Sequence, residues 1–334
     1  MDRDIRNTVK RKKLAKEASA ILRRRSKDIC DKAKEIILAK DLECDKLHKA
    51  LLYSTLEWRN IKHPGLLHLA CEAVGGNPNA VNDVGAALLL LLTAAHVHDD
   101  IIDQSVSVDG KPTVLAKYSG HIAILVGDVF IFEGWLHLAK ACEKLPTLKR
   151  TAVMNLINSA FLEICHAELE EIDFRSRHAS PKKCLEILKM RAAVGEAVMQ
   201  IGAIIGNGSK EEIKCLGHYG RTFGLLAAIK DEFADIFESD ELRNRYLHRC
   251  LPLPIIYALQ GKENRDRILS VLNKEKVTKR DTDMLANLVL NTKKVKNLKK
   301  HMLSHMQSGL RSLRTIKRST GILRLLLQST VEDL

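Results

Sequence analysis

Residues 81–103 read VNDVGAALLLLLTAAHVHDDIID, a segment apolar on nearly every helical face until it ends in Asp99, Asp100 and Asp103. A helix that is apolar all round belongs in the middle of a protein rather than on its surface. Three carboxylates at the end of such a helix place acid where an enclosed cavity can use it. The stretch from His218 to Glu238 repeats the arrangement, with Leu225 to Ile229 leading into Asp231-Glu232-Phe233-Ala234-Asp235.

Within each motif the outer aspartates stand four residues apart, so Asp99 and Asp103 share a helix face, as do Asp231 and Asp235. Like charges at that spacing repel, and the repulsion calls for a counter-charge. Paired hard oxygen ligands suit Mg²⁺, which takes a few carboxylates and leaves its other positions to water and phosphate oxygens. One such motif alone is more often an exposed acidic helix end. Two copies 132 positions apart, each after a mainly apolar run, favour a shared metal site in which Asp99, Asp103, Asp231 and Asp235 hold more than one Mg²⁺. His96 and His98 allow a rival, a His-Asp phosphohydrolase metal site, but it leaves the second motif unexplained.

The rest of the chain agrees with a helical protein. Its 334 residues are 46% apolar, with 4% aromatics and seven prolines, which favours helices over a sandwich of short strands. Gly and Pro punctuate helical segments without a Pro/Ser-rich linker or a fixed repeat, so one helical domain over 1–334 is expected, with a basic segment at 1–40, a core at 60–260 and basic helices at 261–334. Charge is concentrated at the ends: residues 1–40 hold 14 Lys/Arg against 6 Asp/Glu, and residues 273–318 hold 13 against 3. Such ends are commonly solvated helix faces, and they also suit an anionic membrane surface. No aromatics interleave the basic runs as a base-stacking platform requires, so no nucleic-acid partner is expected. Eight dispersed cysteines without a CxxC pair, no signal-like start, and a longest apolar stretch of only Val84 to Ala95 give the expectation of a reduced, soluble, cytoplasmic protein, peripheral at most to a membrane.

HDDIID at 98–103, GKPT at 110–113, LVGDVF at 125–130, YGRTFGLL at 219–226 and DEFAD at 231–235 together resemble the trans-prenyl diphosphate synthase (polyprenyl synthetase) family. LACEAVGG at 69–76 and LPLPIIYAL at 251–259 are further landmarks in the same order. The resemblance implies an all-α, isoprenoid-synthase-type bundle around a central apolar cavity, commonly a homodimer, with a heteromer also open. It implies an Mg²⁺-dependent prenyltransferase that ionises an allylic prenyl diphosphate. Asp99, Asp103 and Asp231 would be catalytic; Asp100, Arg191 and Glu232 would contact substrate. Ala94 and Ala95 would leave room for a long prenyl tail, with Phe130, Phe132 or Trp135 as a lower floor.

The chain departs from that pattern where the family holds isopentenyl diphosphate, the five-carbon acceptor. The family's Gly-Lys-Arg falls on Arg59, Asn60 and Ile61; its His before the first motif falls on Leu92, and its Arg-Arg on Val108 and Asp109. Its Lys-Thr pair falls on Arg191 and Ala192, its Gln on Ala228, and its last Gly-Lys-x-Thr on Arg249 to Pro252. Arg243, Arg245 and Arg249 lie beyond the second motif, where the family has lysines. Four readings remain open: transfer to an acceptor other than isopentenyl diphosphate, chain elongation through a rebuilt acceptor site, terpene cyclisation, and a non-catalytic partner subunit or membrane-surface binder.

Overall fold

Apolar spacing and capping residues turn the chain into helices joined by short turns. The structure, a computed structural model, describes residues 2–40, 43–56, 58, 60–108, 110–174, 180–262 and 264–331, with side chains from residue 14 onward. In chain order the first helices are α1 (Asp2–Leu38), α2 (Asp45–Leu56), α3 (Lys62–Ala73) and α4 (Asn82–Ile102). A two-stranded hairpin, β1 (Ser107–Val108) against β2 (Lys111–Pro112), leads to α5 (Val114–Lys117), α6 (Gly120–Glu143) and α7 (Thr147–Asp173). Then come α8 (Pro181–Arg191), α9 (Ala193–Ile205), α10 (Lys210–Ala234), α11 (Ser239–His248) and α12 (Leu253–Leu259). The chain closes with α13 (Arg265–Leu272), α14 (Lys279–Leu290), α15 (Lys293–Ser312) and α16 (Gly321–Ser329). The expected all-α fold is therefore what the chain adopts.

α4 is the central helix that its composition requires. Val84 through Leu92 are buried without interruption, and α1, α3 and α6 pack around it. It stops where Gln104 turns to φ 51°, and the Ser105 N–H donates to the Asp100 carbonyl at 2.9 Å, which closes the last turn and holds Asp99 and Asp103 at the helix end. α10, which delivers the second motif, starts from a capping box between Ser209 and Glu212. α9 and α10 cross at Gly195 and Gly220, where a methyl on either residue would collide with the carbonyl of the other. Overpacking at such a contact forces backbone movement, so the close crossing that sets the position of α10 depends on glycine.

The apolar character of two helices exceeds the expectation. Residues 78–102 and 120–143 are both long and apolar enough to cross a membrane, although the longest apolar stretch expected from the sequence is Val84 to Ala95. The first is mostly inside the fold, as a core helix should be, whereas only about a third of the apolar stretch of α6 is buried. Ile124, Leu125, Phe132 and Leu136 of α6 are exposed, Phe132 by 73%. α15 buries Val295, Leu298, Met302 and Met306 in the core and leaves Lys293, Lys294, Lys296 and Lys300 exposed.

Candidate active site

The two acidic motifs meet at α11 and the residue that follows it. Arg245 reaches Asp235 with Nη1 and holds both oxygens of Glu232 with Nη2, at 2.9 and 3.0 Å, while its Nε donates to the Cys250 carbonyl at 2.8 Å. Four residues on, Arg249 Nε lies 2.8 Å from Asp103 Oδ2, and its Nη1 lies 2.9 Å from Glu241 Oε1. One turn of arginines thus joins the end of α4 to the end of α10. The Asn244 side-chain amide adds a 3.1 Å bond to the Asp103 carbonyl.

α7 brings a second acidic edge to the same place. Arg191 Nη2 stands 2.7 Å from Glu168 Oε1 and 2.6 Å from Glu171 Oε2, and Arg249 Nε lies 3.6 Å from the other Glu171 oxygen. Burial raises the carboxyl pKa of Asp103 and Glu168, with Arg249 and Arg191 opposing it respectively. Glu171 meets the same desolvation, but Arg191 and Arg249 outweigh it and hold the acid below its ordinary range. Arg191 resists desolvation for the complementary reason: Glu171, Glu168, Asp99 and Asp103 raise its pKa. The gap among Asp103, Glu168, Glu171 and Arg249 is about 10 Å³, room for no more than one water. Ligands of any size require these arginines to exchange partners.

The expected site residues do not all behave alike. Asp99 is half-buried, and its Oδ1 is buried without a hydrogen-bond partner. Asp100 is buried, and Asp231 stands exposed at the rim with Lys62 Nζ at 3.5 Å. Glu232, expected to contact substrate, is held by Arg245 at both of its oxygens and accepts the Leu253 N–H at 2.7 Å, which ties α12 to α10. Ala94 is buried and Ala95 half-buried. Phe132 cannot floor that pocket because it faces outward, whereas Phe130 is fully buried and meets the Trp58 ring edge-on at 6.5 Å between centroids. Glu168 and Glu171 were not among the sequence candidates; their i, i+3 spacing is the signal that was available.

The fit to Mg²⁺ rests on these carboxylates. Among the described residues no three His, Cys, Asp or Glu side chains form a ready metal cage. A magnesium site does not need one, because one or two carboxylates with water and substrate phosphate complete its octahedron. The orphaned Asp99 oxygen, with Asp103 one turn away, offers that donor set.

Among the described residues, the positions expected to lose acceptor cations are neutral. Asn60 Oδ1 lies 2.6 Å from His63 Nδ1, and burial, with Lys62 and His96 alongside, pulls the His63 pKa down to about 3. The ring is therefore uncharged near pH 7. Leu92 is buried, Ala192 is buried, and Val108 and Ile61 line a cavity of about 850 Å³. That cavity is walled by Thr93, His96 and Val97 of α4 and by Arg23 and Lys27 of α1, with Lys111 of the hairpin. Arg59 and Asp109 lie outside the described residues.

Known proteins resemble this chain in sequence and in fold. The profile of one family, described as polyprenyl synthetase, matches residues 57–289. A short chain isoprenyl diphosphate synthase of Methanothermobacter thermautotrophicus is 29% identical over 218 residues, which is 63% of this chain and 66% of that one. A geranylgeranyl diphosphate synthase of Methanosarcina mazei is 30% identical over 201 residues, 59% of this chain and 61% of that one. The matched region thus spans less than two thirds of these curated relatives. A crystal structure of geranylgeranyl pyrophosphate synthetase from Pyrococcus horikoshii shares the fold with a TM-score of 0.82 and 24% identity, covering 95% of this chain and 98% of that one.

Proposed function

We propose a function that proceeds from one premise: this chain belongs to the polyprenyl synthetase family. It is a prenyltransferase of isoprenoid biosynthesis, acting in the cytoplasm on an allylic prenyl diphosphate and passing the prenyl group to an acceptor other than isopentenyl diphosphate. The observation that carries the donor half is the junction of both acidic motifs through Arg245 and Arg249. The acceptor half is supported by the neutral Asn60–His63 pair and by Leu92 where the family resemblance leads one to expect cations.

Asp99, Asp103, Asp231 and Asp235 would hold Mg²⁺, which as a Lewis acid supplies charge neutralisation for a leaving diphosphate. Arg191 and Arg249 are placed to exchange their carboxylate partners for diphosphate oxygens by charge-assisted hydrogen bonds. The prenyl C1–O bond breaks with its electron pair going to the diphosphate. The acceptor's nucleophile bonds to C1, and its proton goes to the departing diphosphate. Aliphatic α4 residues above the motif exclude water from the allylic cation, and Ala94 and Ala95 leave width for its tail.

The test is incubation of the purified protein with Mg²⁺, geranylgeranyl diphosphate and labelled isopentenyl diphosphate. With no acceptor supplied, only slow pyrophosphate release, in which water takes up the prenyl cation, and no elongated labelled diphosphate are expected. Elongation with ordinary turnover at micromolar isopentenyl diphosphate would contradict the acceptor assignment and restore the chain-elongating reading.

The homodimer uses α6 in this reading. Its exposed Ile124, Leu125, Phe132 and Leu136 form an apolar helix surface of the kind that association covers. Phe132→Glu is expected to convert a dimer to a monomer in sedimentation experiments without loss of helix content. A wild-type monomer at tens of micromolar, or an unaltered dimer in the variant, would remove α6 as the interface.

A further inference from the structure

We propose that the outer face of α15, built on Lys293, Lys294, Lys296 and Lys300, docks the protein on an anionic phospholipid surface, with Leu303 reaching into the headgroup layer. This surface is separate from the acidic motifs and from the reaction assigned above.

The charge there is of one sign over a long stretch. Residues 284–331 hold ten Lys/Arg and no Asp or Glu. The two carboxylates of α14 that precede them are already engaged, Asp281 by Lys274 at 2.6 Å and Asp283 by Lys279 at 3.5 Å. Glu332 and Asp333, which follow, lie outside the described residues. Lys293, Lys294, Lys296 and Lys300 are exposed, and among the described residues none offers them a carboxylate. Burial, Lys189 of α8, His301 and His218 of α10 hold the His305 pKa below its ordinary value, so basic groups from three helices gather on this side of the fold.

These lysines are badly placed for the helix itself. Lys293, Lys294 and Lys296 follow the Thr292 cap with no acidic residue in the first turn, at the positive end of the helix dipole. Lys296 and Lys300 stand four residues apart, where like charges repel. An anionic surface against this face offsets both costs.

Composition selects a bilayer over another macromolecule. No Phe, Tyr or Trp occurs in 284–331, so nothing there stacks on nucleobases. Protein interfaces are depleted of Lys and centred on aromatic, Met or Arg side chains, whereas Leu303 is the one large apolar side chain that α15 exposes. Hydrated, mobile ammonium groups suit a fluid lipid surface, where charge counts more than fixed geometry. The orientation that follows is specific. α15 runs antiparallel to α10, since Lys299 Nζ lies 5.5 Å from the Phe233 ring centroid and Ser308 Oγ lies 3.1 Å from His218 Nε2. The lysine-rich half therefore sits at the end of α10 that carries Asp231 and Asp235, and docking brings that acidic end beside the lipid.

The test is co-sedimentation of the full chain with vesicles of phosphatidylcholine alone and of phosphatidylcholine with phosphatidylserine. Binding is expected only to the second, weakening by about tenfold or more between ~0.1 and ~0.5 M salt. Lys293→Glu, Lys294→Glu, Lys296→Glu and Lys300→Glu combined should weaken it about a hundredfold or more, and Gln at the same four positions about tenfold or more. On α1, Lys16→Glu with Arg24→Glu should leave binding within about twofold of wild type. All six side chains are exposed, so folding should survive, and thermal unfolding checks each variant. Equal binding to both vesicle types, no binding at millimolar lipid, or wild-type binding in the folded α15 variants would overturn the proposal. So would loss of binding in the α1 variant alone, or tighter binding to a double-stranded DNA fragment than to the anionic vesicles.

Discussion

Asp99→Ala is expected to slow pyrophosphate release from geranylgeranyl diphosphate by about a thousand-fold or more, equivalent to ~4 kcal/mol of lost transition-state stabilisation. The reason is that the leaving diphosphate accumulates charge in a space already edged by Asp103, Glu168 and Glu171, and can depart only if that charge is neutralised. The same substitution should leave thermal stability unchanged or slightly raised. Asp99 Oδ1 is buried without a hydrogen-bond partner, so its removal takes away an unsatisfied group rather than a contact. A merely structural aspartate would show the reverse, lost stability with activity retained. Quench-flow or steady-state pyrophosphate assays beside calorimetric unfolding distinguish the two.

Arg245→Leu carries the largest expected effect on stability, about 3–5 kcal/mol of destabilisation by chemical denaturation. Its side chain is 4% exposed and serves Glu232, Asp235 and the Cys250 carbonyl together. Removing it leaves two carboxylates facing each other without their cation, and burial makes that costly. Adding Glu232→Gln to Arg245→Leu should recover part of the loss, since one uncompensated charge is removed. A single-variant cost below ~1 kcal/mol, the range of surface ion pairs, would show that the network is solvated and that the motifs are not held by it.

The fold was legible because its signals are redundant. The unbroken apolar run of α4 can be satisfied only in a core, and the Ser209–Glu212 capping box and the Pro-bearing turns mark where helices begin. The acidic motifs were legible for the same reason: four-residue spacing at the end of an apolar helix is visible without contacts. The partners of those motifs were not. Glu168 and Glu171 point inward on α7, whereas Leu162, Leu169 and Ile172 of the same helix are exposed by 63%, 57% and 36%. This is the inverse of an ordinary amphipathic pattern, so hydrophobic periodicity directs attention to the wrong face. The partners of Glu232 were hidden for a different reason: the family resemblance assigns it to substrate together with its neighbours, but successive helix residues point about 100° apart, which sends Asp231 to the rim and Glu232 to Arg245. Burial of Arg245 is a tertiary fact that a basic stretch, LRNRYLHR, does not disclose.

The most direct test of the central claim, that both motifs act together on one allylic diphosphate, is calorimetric titration with a non-hydrolysable thio-analogue of geranylgeranyl diphosphate, with and without Mg²⁺. The account predicts binding that requires Mg²⁺ and is lost in Asp99→Ala and in Asp231→Ala alike, because the two residues lie on different helices that serve one ligand. Binding that is indifferent to Mg²⁺, or that survives either substitution unchanged, would contradict it.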